Sequence, residues 1–147
     1  MDIHPLIPPP WPQLARLMKA SREEGFFSLA RLVREYLSGQ VRFDRAGETL
    51  LGLFEDSAIV GVAELTQHLY DNDPRTGCVR HVYVLPQCRG RGIGKALLAE
   101  IERHGKTHFS LLVLRTDTLA AANFYQRIGH ERLAPGETAT RRRLLAL

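Results

Sequence analysis

One stretch constrains this chain more than any other: residues 79–99, which read VRHVYVLPQCRGRGIGKALLA. Its β-branched first part predicts a strand that ends at Pro86. Apolar residues at helical spacing, Ile93, Leu97 and Ile101, predict an amphipathic helix after it. Between the two lies a turn rich in arginine and glycine. The chain must therefore fold so that a strand leads through this turn directly into a helix.

This turn has the chemistry of an anion site. Glycine has no Cβ, so the backbone can approach a ligand closely and can adopt positive φ. Amides at the start of a helix are donors without partners and carry partial positive charge. Cations and glycines alternate through the turn: Arg89, Gly90, Arg91, Gly92, Gly94 and Lys95. The pattern favours a phosphate-bearing ligand over a plain connection with solvated basic residues.

Two familiar phosphate motifs do not fit the turn. A Walker loop needs a glycine five residues before Gly94 and a hydroxyl residue after Lys95, but Arg89 and Ala96 stand at those positions. A dinucleotide fingerprint that begins at Gly90 needs a third glycine where Lys95 stands. The turn therefore predicts another kind of phosphate carrier.

The spacing that does fit is Arg-x-x-Gly-x-Gly, directly after a strand. It resembles the signature of the GCN5-related N-acetyltransferases (GNAT), whose loop amides bind the pyrophosphate of acetyl-coenzyme A. The resemblance implies that the strand pairs its backbone with the pantetheine arm and that the turn holds the phosphates. The implied cofactor-binding residues are Val82, Tyr83, Val84, Arg89, Gly90, Arg91, Gly92, Ile93, Gly94 and Lys95.

A second landmark of that family lies downstream. The stretch LAAANFYQRIGHERL resembles Ala-x-x-x-Tyr-x-x-x-Gly, with Ala121, Tyr125 and Gly129 at the matching positions. The resemblance implies that Tyr125 is the general acid for the departing thiolate, a role that suits a phenol. It also implies a cofactor contact for Asn123. A core tyrosine on a helix is the alternative reading of Tyr125.

The general base is less determined. Glu64 lies among apolar strand residues, so an inward-facing carboxyl would have a raised pKa and is a candidate catalytic base. An outward-facing Glu64, a water chain and an amine that is already neutral are the alternatives. The strand positions that often carry the base in this family are Cys78 and Arg80 here. His81 is one residue out of phase, so we expect its side chain on the opposite face.

The remaining pattern predicts a mixed α/β fold with the order strand, two helices, three strands, helix, strand, helix and two strands. This order resembles the acetyltransferase fold along the full length. By that resemblance the first two helices border the acceptor pocket, with Phe26, Phe27 and Tyr36 as candidate contacts. The elements after the first helix are expected at 28–38, 49–54, 58–67, 79–85, 93–104, 109–114, 119–128, 131–133 and 140–145, with residues 55–57 as a tight hairpin turn.

Composition and charge limit the class of protein. The 147 residues are 44% hydrophobic and 24% charged, which fits one globular domain. With the resemblance above, this implies a single N-acetyltransferase domain over residues 1–147. No apolar run approaches the ~20 residues of a membrane span, and no secretory leader is evident. We therefore expect a cytoplasmic protein that binds no membrane. The net charge is +4, but the basic residues do not form one stripe: some lie in the turn and others in the run Arg141–Arg143. This distribution argues against a nucleic-acid surface.

Cysteine and histidine usage predicts neither a disulfide nor a metal site. Cys78 and Cys88 lie at opposite ends of one strand and its turn, too far apart to pair. We expect Cys88 to be an incidental surface residue. The six histidines show no ligand spacing, so no metal is expected.

The sequence thus predicts transfer of the acetyl group of acetyl-coenzyme A to a primary amine by direct nucleophilic attack. The alternative is a catalytically silent module of the same fold that only binds acetyl-coenzyme A. The acceptor is a small-molecule or peptide amine. Its identity and the oligomeric state, a homodimer included, are not determined by any motif.

Overall fold

The computed structural model describes residues 2–26, 28–67, 74–114, 131–132 and 141–144. The helices are α1 (Trp11–Glu23), α2 (Ser28–Ser38) and α3 (Ile93–Gly105). The strands are β1 (Asp2–Pro5), β2 (Thr49–Glu55), β3 (Ala58–Gln67), β4 (Thr76–Val84), β5 (Leu111–Leu114), β6 (Glu131–Arg132) and β7 (Arg141–Leu144). The mixed α/β class is confirmed. The helix expected over 119–128 lies outside the described residues.

The strands form one sheet in the order β1-β2-β3-β4-β5-β7-β6, and β4 and β5 are its parallel pair. The β2–β3 hairpin turns through Asp56 and Ser57, whose φ angles are 49° and 67°. A two-residue turn with positive φ at both positions matches the twist of the strands it joins. The tight hairpin predicted from the sequence is therefore confirmed.

Helices cover both faces of the sheet. A Cβ added to Gly61 of β3 would lie 3.0 Å from Leu97 and 3.1 Å from Ile93, so α3 packs closely on that face. The next residue, Val62, points to the other face. There it lines a small apolar cavity together with Leu14 of α1 and Leu29 of α2. The core therefore lies in two layers, one on each side of β3.

The helical stripes are buried largely as predicted. The α3 stripe of Ile93, Leu97 and Ile101 is 2% exposed or less. The apolar residues at helical spacing on α2, which we call the α2 stripe, are Leu29, Leu32, Val33, Tyr36 and Leu37. Leu29 and Leu32 are 3% exposed or less, whereas Leu37 is 66% exposed. It lies in the last turn of α2, just before Gly39 ends the helix with a φ of 83°.

Strand β4 is irregular at His81. Glu64 of β3 pairs with Arg80, whereas the neighbouring Ala63 opposes two residues, His81 and Val82. His81 has a φ of 51°. Two residues against one define a β-bulge, which redirects the side chains that follow it.

Strands β4 and β5 pair over a short length. Thr76–Cys78 pairs with Leu111–Val113, and the described part of β5 does not pair with β4 beyond Cys78. Strand β3 still pairs with β4 as far as Val84. Among the described residues, one edge of β4 is therefore open from Val79 to Val84.

Two glycines with the same backbone conformation test the packing of the core. A Cβ at Gly47, where φ is 84°, would lie 2.7 Å from the ring of Phe109, which is 1% exposed. At Gly25, where φ is 82°, nothing lies within 4 Å. Both alanine substitutions carry the cost of left-handed backbone, about 1–2 kcal/mol. In urea unfolding, we expect Gly47→Ala to lower the free energy of unfolding by about 1–3 kcal/mol more than Gly25→Ala does, because it overpacks the core. Equal losses would show that the ring does not fill this space.

Candidate active site

The turn between β4 and α3 leaves backbone donors free at a helix N-terminus. Gly90 and Gly92 have φ angles of 81° and 79°, and a Cβ at either position would meet no atom of the described residues within 4 Å. The first intrahelical bond of α3 runs from the amide of Ala96 to the carbonyl of Gly92, at 3.0 Å. The amides of residues 93–95 therefore have no partner within the helix. Their partial positive charge faces the space that the two glycines leave open.

Arg89 faces back onto the protein. Its Nη1 and Nη2 donate to the two carboxylate oxygens of Glu24 at 2.8 and 2.7 Å, and its Nε donates to the carbonyl of Val84 at 3.0 Å. The hydroxyl of Tyr83 also donates to Glu24, at 2.6 Å. The hydrogen bonds from Arg89 contribute most to holding the pKa of Glu24 below its usual range. The guanidinium is thus used to join the end of α1 to the turn.

The other two cations of the turn differ from each other. Arg91 donates to Glu55 at the end of β2, at 2.8 Å. Lys95 is exposed and makes no ion pair with another described residue. The sequence places both arginines around the anion but gives no sign of their carboxylate partners, because Glu24 lies just after α1 and Glu55 lies at the end of β2, both far away along the chain. Lys95 and the helix amides carry the charge that remains available.

The open edge of β4 continues toward this turn. The amide of Leu85 donates to the carbonyl of Val60 in β3, at 2.9 Å. Because backbone groups alternate along a strand, those of Val84 and Val82 face the opposite, open edge. Arg89 reaches the Val84 carbonyl from this side. An extended ligand could therefore pair with the backbone of Val82.

Glu64 is buried without a hydrogen-bond donor. Its side chain is 0% exposed, and neither oxygen has a hydrogen-bond partner among the described residues. The nearest cation is Arg80, whose Nη1 lies 3.7 Å from Oε1, and the Nε2 of His81 lies 3.6 Å from Oε2. Burial raises the pKa of Glu64 to about 8. Of the two orientations considered from the sequence, the structure has the inward one.

A second carboxyl, Glu35 of α2, completes this group. Nη2 of Arg80 donates to both oxygens of Glu35 at 2.6 and 2.8 Å, and Nε2 of His81 lies 3.3 Å from Oε1. Burial opposes ionisation of Glu35, but its hydrogen bonds with His81 and Arg80 outweigh it and hold its pKa at about 2. Burial also lowers the pKa of His81. We call Glu35, Glu64, Arg80 and His81 the buried cluster.

The expectation that the side chain of His81 lies on the face opposite to Arg80 is wrong. It assumed uninterrupted alternation along β4, and the bulge at this residue turns the imidazole to the same face as Arg80. Glu35 was missed altogether. Its signal in the sequence is weak but present, because it follows Leu32 by three residues and so lies at the margin of the buried α2 stripe.

Other candidates are placed differently from the sequence expectations. Tyr36 packs edge-to-face against Trp11, with ring centroids 5.5 Å apart, and stacks on Phe43 at 6.2 Å. Its contacts are those of a packing residue. Phe26 is 43% exposed. Three further candidates, Phe27, Asn123 and Tyr125, lie outside the described residues.

Cys88 is 6% exposed, so the expectation that it lies on the surface is wrong. The turn of 3-10 helix Pro86–Cys88 carries its side chain into the core. The longest helices that the structure describes have 13 residues, and none has the length and hydropathy of a membrane-crossing segment.

The raised pKa of Glu64 predicts an unusual dependence of stability on pH. Between about pH 4.5 and 8 the carboxyl ionises in the unfolded chain but keeps its proton in the folded one, so folding becomes less favourable as pH rises. Glu64→Gln removes this dependence. In urea unfolding, we expect the free energy of unfolding of the variant, relative to that of the wild type, to rise by about 2–4 kcal/mol from pH 5 to pH 8.

Glu100→Gln is the matched control, because Glu100 pairs with Arg103 on the exposed face of α3. The difference in free energy of unfolding between this variant and the wild type should be constant over the same pH range. A constant difference for Glu64→Gln as well would mean that Glu64 is ionised in the folded protein.

Comparisons with known proteins agree with this geometry. Residues 11–130 match the family described as "Acetyltransferase (GNAT) family". A protein from Exiguobacterium sp. 255-15 that was assigned as an acetyltransferase is 28% identical, with 98% of this chain and 94% of that chain covered and a TM-score of 0.78. The GNAT family N-acetyltransferase YhbS from Escherichia coli, solved in complex with CoA, is 19% identical, with 99% and 81% covered and a TM-score of 0.75.

A third similar structure is N-acetylglutamate synthase from Neisseria gonorrhoeae, complexed with coenzyme A and N-acetyl-glutamate. It is 21% identical, with 99% of this chain and 35% of that chain covered and a TM-score of 0.72. The match to the family extends from α1 through the turn between β4 and α3 and beyond α3. The chain belongs to the GNAT acetyltransferase family.

Proposed function

We propose that this protein transfers the acetyl group of acetyl-coenzyme A to a primary amine, by direct attack of the amine on the thioester. The observation that carries the proposal is the junction of β4 and α3, where an open strand edge meets unpaired helix amides beside two left-handed glycines. Such a junction suits a long ligand with an extended arm at one end and phosphates at the other. Family membership and CoA-bound neighbours support the choice of acyl donor.

The residues present fit this donor. The amides of residues 93–95 and the ammonium of Lys95 would hold the pyrophosphate, and the missing side chains of Gly90 and Gly92 leave room for its oxygens. The backbone of Val82 on the open edge would pair with the pantetheine arm. Bound acetyl-coenzyme A supplies the activated acyl group.

The transfer forms a C–N bond and breaks a C–S bond, so it needs one group to take a proton from the amine and another to give one to the thiolate. Glu64 is our candidate for the first role. Its carboxyl is buried beside His81, which lies between it and the partly exposed Glu35. We infer that the proton reaches Glu64 through His81 or a water molecule. Tyr125 is the candidate proton donor, by resemblance to the family landmark.

The acceptor in this proposal is a small-molecule or peptide amine. A catalytically silent module that only binds acetyl-coenzyme A is the second candidate. Two observations favour it. Cys78 and Arg80 occupy the β4 positions at which related enzymes often carry a base. Glu64 itself has no exposed surface. Turnover measurements separate the two.

The cofactor site is tested by placing a carboxylate at the anion position. Gly92→Glu adds bulk and negative charge where the phosphates are expected, and like charges in contact cost several kcal/mol. We expect the affinity for acetyl-coenzyme A in isothermal titration calorimetry to fall by about 100-fold or more. Gly39→Glu makes the same change at a φ of 83°, at the end of α2, and should bind normally. Equal affinities for the wild type and Gly92→Glu would refute the site.

The pH dependence of turnover tests the base. With a primary amine whose own pKa lies below about 6, kcat/KM reports groups of the free enzyme. We expect kcat/KM in a thiol-release assay to rise with pH to a half-maximum near 8, where Glu64 loses its proton. Glu64→Gln should abolish this rise, and Tyr125→Phe should lower kcat. If no amine in a broad panel releases thiol while acetyl-coenzyme A still binds, the silent module is the correct reading.

A further inference from the structure

The guanidinium of Arg80 is shared unequally by two carboxyl groups. Its Nη2 donates to both oxygens of Glu35, at 2.6 and 2.8 Å, whereas Nη1 lies 3.7 Å from the nearer oxygen of Glu64. The first contact has hydrogen-bond geometry and the second is only electrostatic. Glu35 therefore takes the directed donors of the nearest cation, and Glu64 keeps none.

The charges around Glu64 come from three parts of the fold. Strand β4 brings Arg80 and His81, with the Cys78 thiol close to Arg80. Helix α2 brings Glu35, with Arg31 acting on His81, and the segment before β2 brings Glu48. The amides of Arg45 and Gln67 donate to Glu48.

One guanidinium cannot compensate the negative charges of two carboxylates in a poorly solvated cluster, so one of them keeps its proton. The proton favours the group with less solvent and fewer donors. Glu35 is 12% exposed and Glu64 is 0% exposed. The geometry therefore assigns the negative charge of the buried cluster to Glu35 and the proton to Glu64.

We propose that Glu35 is a positioning residue for acetyl transfer: by holding Arg80 away from Glu64, it keeps Glu64 a strong base. Glu35 does not need to touch either substrate for this role. It acts from α2, across the interface with β4, through a cation that both carboxyls share. The catalytic part of this inference rests on the proposed function, in which Glu64 receives the amine proton. The electrostatic part does not depend on turnover.

The electrostatic part is tested on the protein without substrates. The side-chain carboxyl carbon of Glu64, labelled with carbon-13 and assigned with the Glu64→Gln variant, is titrated by NMR in the wild type and in Glu35→Gln. Removal of Glu35 releases Arg80 to Glu64. An unshielded cation within about 4–6 Å lowers a carboxyl pKa by about 1–3 units, and we expect a fall of this size. An unchanged titration of Glu64 would overturn the proposal whatever the enzyme does.

The catalytic part is tested by the pH profile of kcat/KM. In Glu35→Gln the rising limb should move to lower pH by the same amount as the NMR titration, and the plateau should fall because the base is weaker. Glu35→Asp, which restores the carboxylate, should return the limb toward its wild-type position. Glu100→Gln removes one negative charge elsewhere and should leave the profile in place. A residue that merely anchored α2 would lower kcat without moving the limb.

A second variant keeps the test decisive if Glu35→Gln does not fold. Arg80→Gln removes the shared cation and leaves Glu35 in place. The rising limb of kcat/KM and the NMR titration of Glu64 should then stay where they are or move to higher pH. A move to lower pH would overturn the proposal. If the titration of Glu64 moves in Glu35→Gln but the kinetic limb does not, the proposed role of Glu64 as proton acceptor fails, and the catalytic role of Glu35 fails with it.

Discussion

The divergence of β4 from β5 is the constraint on which the site depends. Parallel strands that stayed paired would satisfy the β4 backbone with β5, and no edge would remain for a ligand. Within the part of the chain that the structure describes, pairing ends at Cys78, so β4 keeps β3 on one side and has an open edge on the other. The same divergence carries the chain into the turn before α3. The open edge and the helix N-terminus thus both follow from the divergence of β4 from β5.

The buried cluster shows a different constraint, in which stability opposes activity. A carboxyl buried without a donor makes folding less favourable at neutral pH. A well-packed protein under selection for stability alone would place an apolar residue or an amide with partners at position 64. The structure instead surrounds Glu64 with Arg80, His81 and Glu35, none of which donates a hydrogen bond to it. Costs of this kind are concentrated at functional sites.

The sequence predicted the features that local rules govern. The glycine-rich turn, the α3 stripe and the β2–β3 hairpin follow from spacing, conformational preference and turn length, and each is present. The apolar neighbours of Glu64 suggested an inward orientation, but the pattern was equally compatible with the outward one. The sequence therefore did not decide between them.

The features that escaped the sequence are long-range contacts or local irregularities. The bulge at His81 has no composition signal, because a single extra residue leaves the β-branched pattern of β4 intact. The partners of Arg89 and Arg80 are Glu24 and Glu35, which precede them by 65 and 45 residues. No rule of spacing connects such residues. Only the packing of α1 and α2 on the sheet brings them together.

The aromatic contact between α1 and α2 has a spectroscopic consequence. Trp11 is the single tryptophan of the chain, and its indole lies edge-on against Tyr36, 5.5 Å away across the helix interface. Tryptophan fluorescence of this protein therefore originates at one known place, in the helical layer and not in the sheet or the turn between β4 and α3. Tryptophan emission will report when the two helices separate, and any quenching or spectral shift caused by a ligand can be ascribed to that layer.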